Sequence, residues 1–191
     1  MNKKLILLVL IVLLFAASNC YALEIYGGVQ ISSIDESTKH FNPDLEIDLN
    51  YPVLGMRHWV TEEIAVGLEY NSLSFMGDFP TDGSVSSSFL NELYADAYLA
   101  TFTYKLPTKK DIRFVLAAGG YQTELNYYLS DDYTDTTIGY KIGLESKLDL
   151  SGYKDLSIIN AINYRKVDAD LKADKMDFSG VEFNSVLNFK L

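Results

Sequence analysis

The sequence predicts an all-β fold: an eight-stranded, up-and-down antiparallel transmembrane β-barrel, preceded by a cleavable signal peptide. Three observations predict it. Residues 181–191 alternate to the last position, with Val181, Phe183, Leu187, Phe189 and Leu191 on one face and Glu182, Asn184, Asn188 and Lys190 on the other. The connections between strands alternate long and short along the whole chain. The strands run about 10 to 18 residues, beyond the roughly 3–10 of soluble sheets and enough for the ~9–11 that a tilted membrane strand needs.

The first segment is a leader. Lys3 and Lys4 form a basic start, and residues 5–17 are an unbroken apolar run. That run falls short of the roughly 20 residues of a spanning helix but suits a signal peptide. Cys20 and Ala22 put small residues at the −3 and −1 positions, so cleavage is expected after Ala22. This gives a signal peptide over 1–22 and a barrel domain over 23–191. Lipidation at Cys20 is a weaker reading, because Asn19 is larger than the residue usual before a lipidated cysteine. Cys20 is the only cysteine, so the mature chain would hold no disulfide and no thiol chemistry. No other apolar stretch is long enough for a spanning helix, so insertion falls to strands.

The strands follow in order. The first, over 23–32, sets Leu23, Ile25, Gly27, Val29 and Ile31 against Glu24, Tyr26, Gly28 and Gln30. The second, over 45–60, changes phase: Ile47, Leu49, Tyr51 and Val53 keep one face, and Leu54, Met56 and Val60 the other. Pro52 sits at the switch, and a strand proline marks an edge or a bulge, so a bulge is expected near 52–55. The third covers 63–75, with Ile64, Val66, Leu68 and Tyr70 opposing Gly67, Glu69 and Asn71. The fourth covers 89–106; Tyr98, Ala100, Phe102 and Tyr104 share a face, while Glu92 and Asp96 leave its upper half in neither phase. The fifth covers 112–128 and repeats, in Gly119-Gly120, the glycine pair of Gly27-Gly28, which reads as close backbone approach. The sixth, over 137–150, is the most regular: Ile138, Tyr140, Ile142, Leu144 and Leu148 alternate with Gly139, Lys141, Gly143, Glu145 and Lys147. The seventh covers 156–166, and the eighth is 181–191. The long connections are 33–44, 76–88, 129–136 and 168–177; the short ones are 61–63, 107–111 and 151–155. An even strand count returns both ends to the side of the short turns.

This pattern assigns two surfaces. The membrane-facing set is Ile138, Tyr140, Ile142, Leu144, Leu148, Val181, Phe183, Leu187, Phe189 and Leu191. The bore set is Glu69, Lys141, Glu145, Lys147, Arg165, Glu182, Asn184 and Asn188. An eight-stranded barrel is just wide enough for side chains to fill it, so these groups are expected to pair with one another and leave no wide pore. Aromatics near strand ends suggest two interfacial girdles: Tyr70, Phe75, Phe89, Tyr127, Tyr128, Tyr164 and Phe178 above, Trp59, Tyr104, Tyr153 and Phe189 below.

With its terminal Leu187-Asn188-Phe189-Lys190-Leu191 and its glycine-containing first strand after the leader, the chain resembles the small eight-stranded outer-membrane barrels of the OmpA-domain, OmpX and opacity-protein type. The family usually ends on Phe, and this chain ends on Leu191. The resemblance implies residence in a Gram-negative outer membrane, with outer-membrane lipid and the barrel-assembly machinery as partners. It makes Phe183, Leu187, Phe189 and Leu191 the assembly signal. It also implies a structural or surface-interaction role, in adhesion or envelope integrity.

Charge excludes one class of function. The chain carries 16 basic and 26 acidic residues, a net charge of −10, or −12 without the two leader lysines. Nucleic-acid binding needs clustered cations and is not expected. The acids crowd the long connections, as in Asp131, Asp132 and Asp135, or Asp168, Asp170, Asp174 and Asp177. They are expected to be solvated and open to an unidentified partner, with loose divalent binding the lesser reading. Two other functions stay open. A lipid-modifying enzyme would centre on His40, beside Ser37, Asp35 and Glu36; a polar loop holds such a trio poorly, so no enzyme is expected. A soluble periplasmic lipocalin-like barrel would invert the facing, with Ile138, Tyr140, Ile142 and Leu144 lining a cavity for a small apolar ligand. The expectation is a monomer with no cofactor and no metal.

Overall fold

The computed structural model describes residues 22–34, 42–43, 47–78, 91–126, 133–171 and 174–191. Residues 1–21 of the leader, Asp35, Glu36, Ser37, His40, Asp131, Asp132 and the aromatics Phe89, Tyr127 and Tyr128 lie outside the described residues, while Ala22, the expected last leader residue, is the first residue of a strand. The described residues form eleven strands: β1 (Ala22–Ser33), β2 (Asn42–Pro43), β3 (Ile47–Trp59), β4 (Ile64–Asp78), β5 (Asn91–Lys105), β6 (Ile112–Asn126), β7 (Tyr133–Asp149), β8 (Leu156–Lys166), β9 (Asp168–Leu171), β10 (Asp174–Asp177) and β11 (Gly180–Lys190). Eight of them, β1, β3 to β8 and β11, form one antiparallel sheet. The β4–β5 pairing closes that sheet on itself, so each of the eight strands has a paired neighbour on both sides over its lower part. β2 adds two residues beside the top of β4, and β9 and β10 form a separate hairpin where the sequence suggests only a long connection.

Closure fixes the geometry. Stepping across register partners from Leu148 leads through Ile158, Leu187, Gly27, Leu54, Tyr70, Tyr98 and Gly120 to Ile138. The path returns to β7 ten residues higher, a stagger that tilts the eight strands by about 40°. At that tilt the 17-residue β7 rises about 43 Å along the axis, against an apolar band about 25 Å tall in membrane barrels. The strands are therefore long enough to cross lipid and project beyond it.

The phase change in the second predicted strand has a structural cause. The register between β1 and β3 shifts between Gly28 and Gln30, so Val29 opposes both Tyr51 and Pro52. Past this extra residue Val53 and Arg57 turn inward, Leu54 and Met56 outward. Gly28 and Gly119 both mark close approach: a Cβ would lie 2.2 Å from the Ser185 carbonyl oxygen at the first and 2.0 Å from that of Tyr98 at the second.

Polarity inverts with height. On the side of the short turns the bore is polar and the outside apolar. Toward the long connections, Leu73, Phe75, Leu93, Ala95, Ala97, Leu99 and Tyr121 point inward and form a core with Ile34, Val167, Ala169 and Phe178. Ser72, Ser74, Asp96 and Gln122 face out at the same level. The upper ends thus pack as a soluble barrel does, with apolar residues inside and polar residues toward water. This accounts for the upper half of β5, which fits neither phase in sequence: Asp96 faces out and accepts a 2.9 Å hydrogen bond from the Tyr70 hydroxyl. It also corrects the girdle assignment. Phe75 and Phe178 are buried in the upper core, and Trp59 turns into the lower mouth; Tyr70, Tyr98, Tyr104, Tyr164 and Phe189 face outward.

Candidate functional site

The bore is the chemically dense part of the chain. Alternation along each strand brings Glu24, Arg57, Glu69, Arg113, Lys141, Glu145, Arg165 and Glu182 inside, where all are buried. Burying a single charge costs several kcal/mol, on the order of what a domain's whole stability supplies, so each needs a partner. The partners form two groups. In the lower group, Arg57 and Glu145 hold one another through a bidentate contact, and Arg113 reaches Glu24 at 3.0 Å and Glu145 at 3.4 Å. Lys147 stands 3.8 Å from Glu24, and Asp111 takes Arg113 Nε at 2.8 Å. In the upper group, Lys141 pairs with Glu69 and stands 3.7 Å from Glu182, which Arg165 meets at 2.6 Å. Tyr26 joins the groups: its hydroxyl donates to Glu69 at 3.0 Å, and the Arg57 guanidinium lies 4.9 Å from its ring centre.

The charges balance within each group. Below, Glu24, Glu145 and Asp111 match Arg57, Arg113 and Lys147; above, Glu69 and Glu182 match Lys141 and Arg165. Among these ten groups neither sign is in excess. Little space remains either: the mid-bore cavity lined by Tyr26, Glu69, Lys141, Asn163 and Asn184 is about 20 Å³, the size of one water. A wider cavity of about 380 Å³ lies toward the short turns, lined by Glu24, Trp59, Lys105, Arg113, Lys147 and Lys190. There the Arg113 guanidinium lies 4.8 Å from the Trp59 ring centre. At the turn, burial would raise the Asp111 carboxyl, but hydrogen bonding and Coulombic attraction to Arg113, with Lys105 and Lys147 behind, hold it below the ordinary aspartate range.

Arg165 is the keystone of the upper group. It is fully buried, donates to the Phe178 carbonyl at 2.7 Å and the Ser33 carbonyl at 3.1 Å, and pairs with Glu182. One side chain thereby ties β8 to the end of β1 and to the segment entering β11. Above it, Lys166 bonds Asp168 at 3.0 Å and Asp177 at 2.6 Å, anchoring the β9–β10 hairpin. Asp135 accepts the Asp170 amide at 2.9 Å, so two of the acidic connections meet.

Every residue of the sequence-derived bore set points inward: Glu69, Lys141, Glu145, Arg165, Glu182, Asn184 and Asn188 are buried and Lys147 nearly so. The membrane-facing set points outward, with Val181 half-buried and Ile138, Tyr140, Ile142, Leu144, Leu148, Phe183, Leu187, Phe189 and Leu191 exposed. Adjacent positions show the contrast: Leu187 is 51% exposed and Asn188 0%. This facing does not favour the lipocalin-like reading, which needs Ile142 and Leu144 in the lumen and Lys141 and Glu145 outside. Sequence reasoning missed Glu24, Arg57 and Arg113 as network members. The signal for Arg57 is the bulge: once Leu54 and Met56 face out, position 57 must face in. Among the described residues no helix is long and apolar enough to cross a membrane, and no cluster of His, Cys, Asp or Glu has a metal-binding arrangement.

No protein-family model matches the chain, and no curated protein sequence matches it significantly. Solved structures do. The outer membrane protein OprG from Pseudomonas aeruginosa is 11% identical, with a TM-score of 0.59, covering 91% of this chain and 97% of that one. Neisserial surface protein A is 10% identical, with a TM-score of 0.52, covering 88% and 97%. The chain has the fold of the small eight-stranded outer-membrane β-barrels.

Proposed function

We propose that this chain is an outer-membrane scaffold with a structural or surface-interaction role, in adhesion or envelope integrity, rather than a channel or an enzyme. It resides in a Gram-negative outer membrane, held by the apolar belt of its outward face. The observation that carries the reading is the constricted bore: ion pairs cross its middle and leave room for about one water, the lower mouth ends beneath them, and an apolar core caps the end near the long connections. With no path through the centre, what the barrel can offer is its rim. That rim is acidic, with Asp135, Asp168, Asp170 and Asp177 held together by the hairpin contacts, so its partner would be a cationic surface.

Reconstitution in planar bilayers tests the closed bore; the expected result is no steady conductance above that of lipid alone, and discrete channel steps would contradict it. For the rim, binding to a panel of matrix and envelope proteins should weaken when Asp168, Asp170 and Asp177 are changed to Asn. Unaltered binding would remove the rim from the account. The same reading predicts that His40→Ala leaves lipid A unchanged by mass spectrometry.

A further inference from the structure

The outward belt is not uniformly apolar. Ser146 of β7 is the register partner of Asn160 of β8, which is in turn the partner of Ser185 of β11. All three lie on the outward face of their strands, and Asn160 and Ser185 are exposed. The row is not at a rim. Leu144 and Leu148 bracket Ser146, Ile158 and Ile162 bracket Asn160, and Phe183 and Leu187 bracket Ser185, all on the same outward face. Nothing comparable occurs on the other side. From β1 to β6, the described outward residues between the rims are aliphatic, aromatic, Ala or Gly: Ile25, Gly27, Val29 and Ile31, through Leu54, Met56 and Leu68, to Phe102, Leu116 and Ala118.

In hydrocarbon a polar side chain finds no water, and an unpaired amide costs roughly 2–7 kcal/mol depending on the reference. The row relieves part of this itself: the Ser185 hydroxyl donates to Asn160 Oδ1 at 3.0 Å. That contact leaves the Asn160 amino group, with two donors, turned toward lipid, and the Ser146 hydroxyl beside it. The row is uncharged, so its complement needs no counter-charge. It must present neutral donors and acceptors at the centre of an aliphatic surround. The same patch on another copy meets that description: a two-fold axis beside Asn160 sets one carboxamide against the other and seats Leu144, Ile162, Phe183 and Leu187 around them.

We propose that the β7–β8–β11 face is a lateral interface with a second copy of this chain within the membrane, centred on Asn160. The proposal departs from the expected monomer. It rests on the membrane reading, and the experiment is arranged so that the two fail separately. Ile162→Cys is made with Cys20→Ser, leaving Asn160 intact, and Leu116→Cys on β6 serves as the control face. Membranes are first checked for the folded, heat-shifted band; its absence in the parent chain would sink the membrane reading itself. A short bismaleimide linker is then applied at low protein-to-lipid ratio. The expected result is a homodimer band with Ile162→Cys, several-fold stronger than with Leu116→Cys. Adding Asn160→Leu should weaken dimerisation about tenfold, as loss of a pair of membrane hydrogen bonds implies. Equal linking at both positions, linking only to a chain of different mass, or a dimer indifferent to Asn160→Leu would each overturn the proposal.

Discussion

Arginine placed at Ile142 should destabilise the membrane-embedded barrel by about 2–4 kcal/mol, the cost of that side chain on the lipid face at mid-membrane. Ile142 lies at the centre of the outward run from Ile138 to Leu148 on β7, so a charge there has the longest reach to either rim. In population terms the cost is a roughly 30- to 1,000-fold shift of the folded-to-unfolded ratio. The companion is Thr136→Arg, six residues higher on the same strand, also outward and exposed. That position lies above the belt, and its cost should fall to roughly 0–1 kcal/mol. A bore position is a poor control, because a Cβ added at Gly143 would meet the Ile162 carbonyl oxygen at 2.2 Å and fail by crowding. Equilibrium unfolding in guanidinium with lipid vesicles reads both variants. Equal costs at 142 and 136, or a cost at 142 under about 0.5 kcal/mol, would refute the placement of the belt.

Further outcomes follow from the bore. Arg165→Met should cost about 3–5 kcal/mol in the same assay, because it leaves Glu182 buried without its main partner; adding Glu182→Leu should recover part of the loss. Trp59, the only tryptophan, should be quenched by aqueous iodide through the lower mouth and not by brominated lipid, since its ring lies under Arg113; quenching by lipid would mean that β3 faces the other way beyond its bulge. The lowered Asp111 carboxyl gives stability that is complete above the ordinary aspartate range and is lost as pH falls through the lowered folded value. The unfolding midpoints of wild type and Asp111→Asn should therefore converge on acidification, and a gap that is constant with pH would remove Asp111 from the account.

What the sequence made legible was the part of each strand that lies in lipid. There the outside must be apolar and the bore polar, so period-two alternation reports facing directly, as in Lys141 against Ile142 or Glu182 against Phe183. Above the lipid the rule reverses. Leu73 and Phe75 continue the same inward phase as Asn71, but apolar residues now belong inside, and a reading that equates apolar with outward places Phe75 in a girdle. Trp59 misled for a related reason: aromatics at a lower rim serve as anchors or as bore plugs, and only the bulge opposite Val29 decides which. The β9–β10 hairpin was hidden because its polar residues alternate weakly; Lys166, Asp168 and Asp177 define it through contacts that a linear reading does not connect. The network was half legible, since inward charges can be named from phase while their partners depend on the ten-residue stagger.

Lipid meets the hydrocarbon-rich face of the sheet, and the charged face closes on itself. Nitroxide scanning of β7 from Ile138 to Leu148 in lipid, with collision rates against oxygen, measures this most directly. The account predicts high rates at 138, 140, 142, 144 and 148 and low rates at 139, 141, 143 and 145. Rates that alternate in the opposite phase, or that do not alternate, would contradict it.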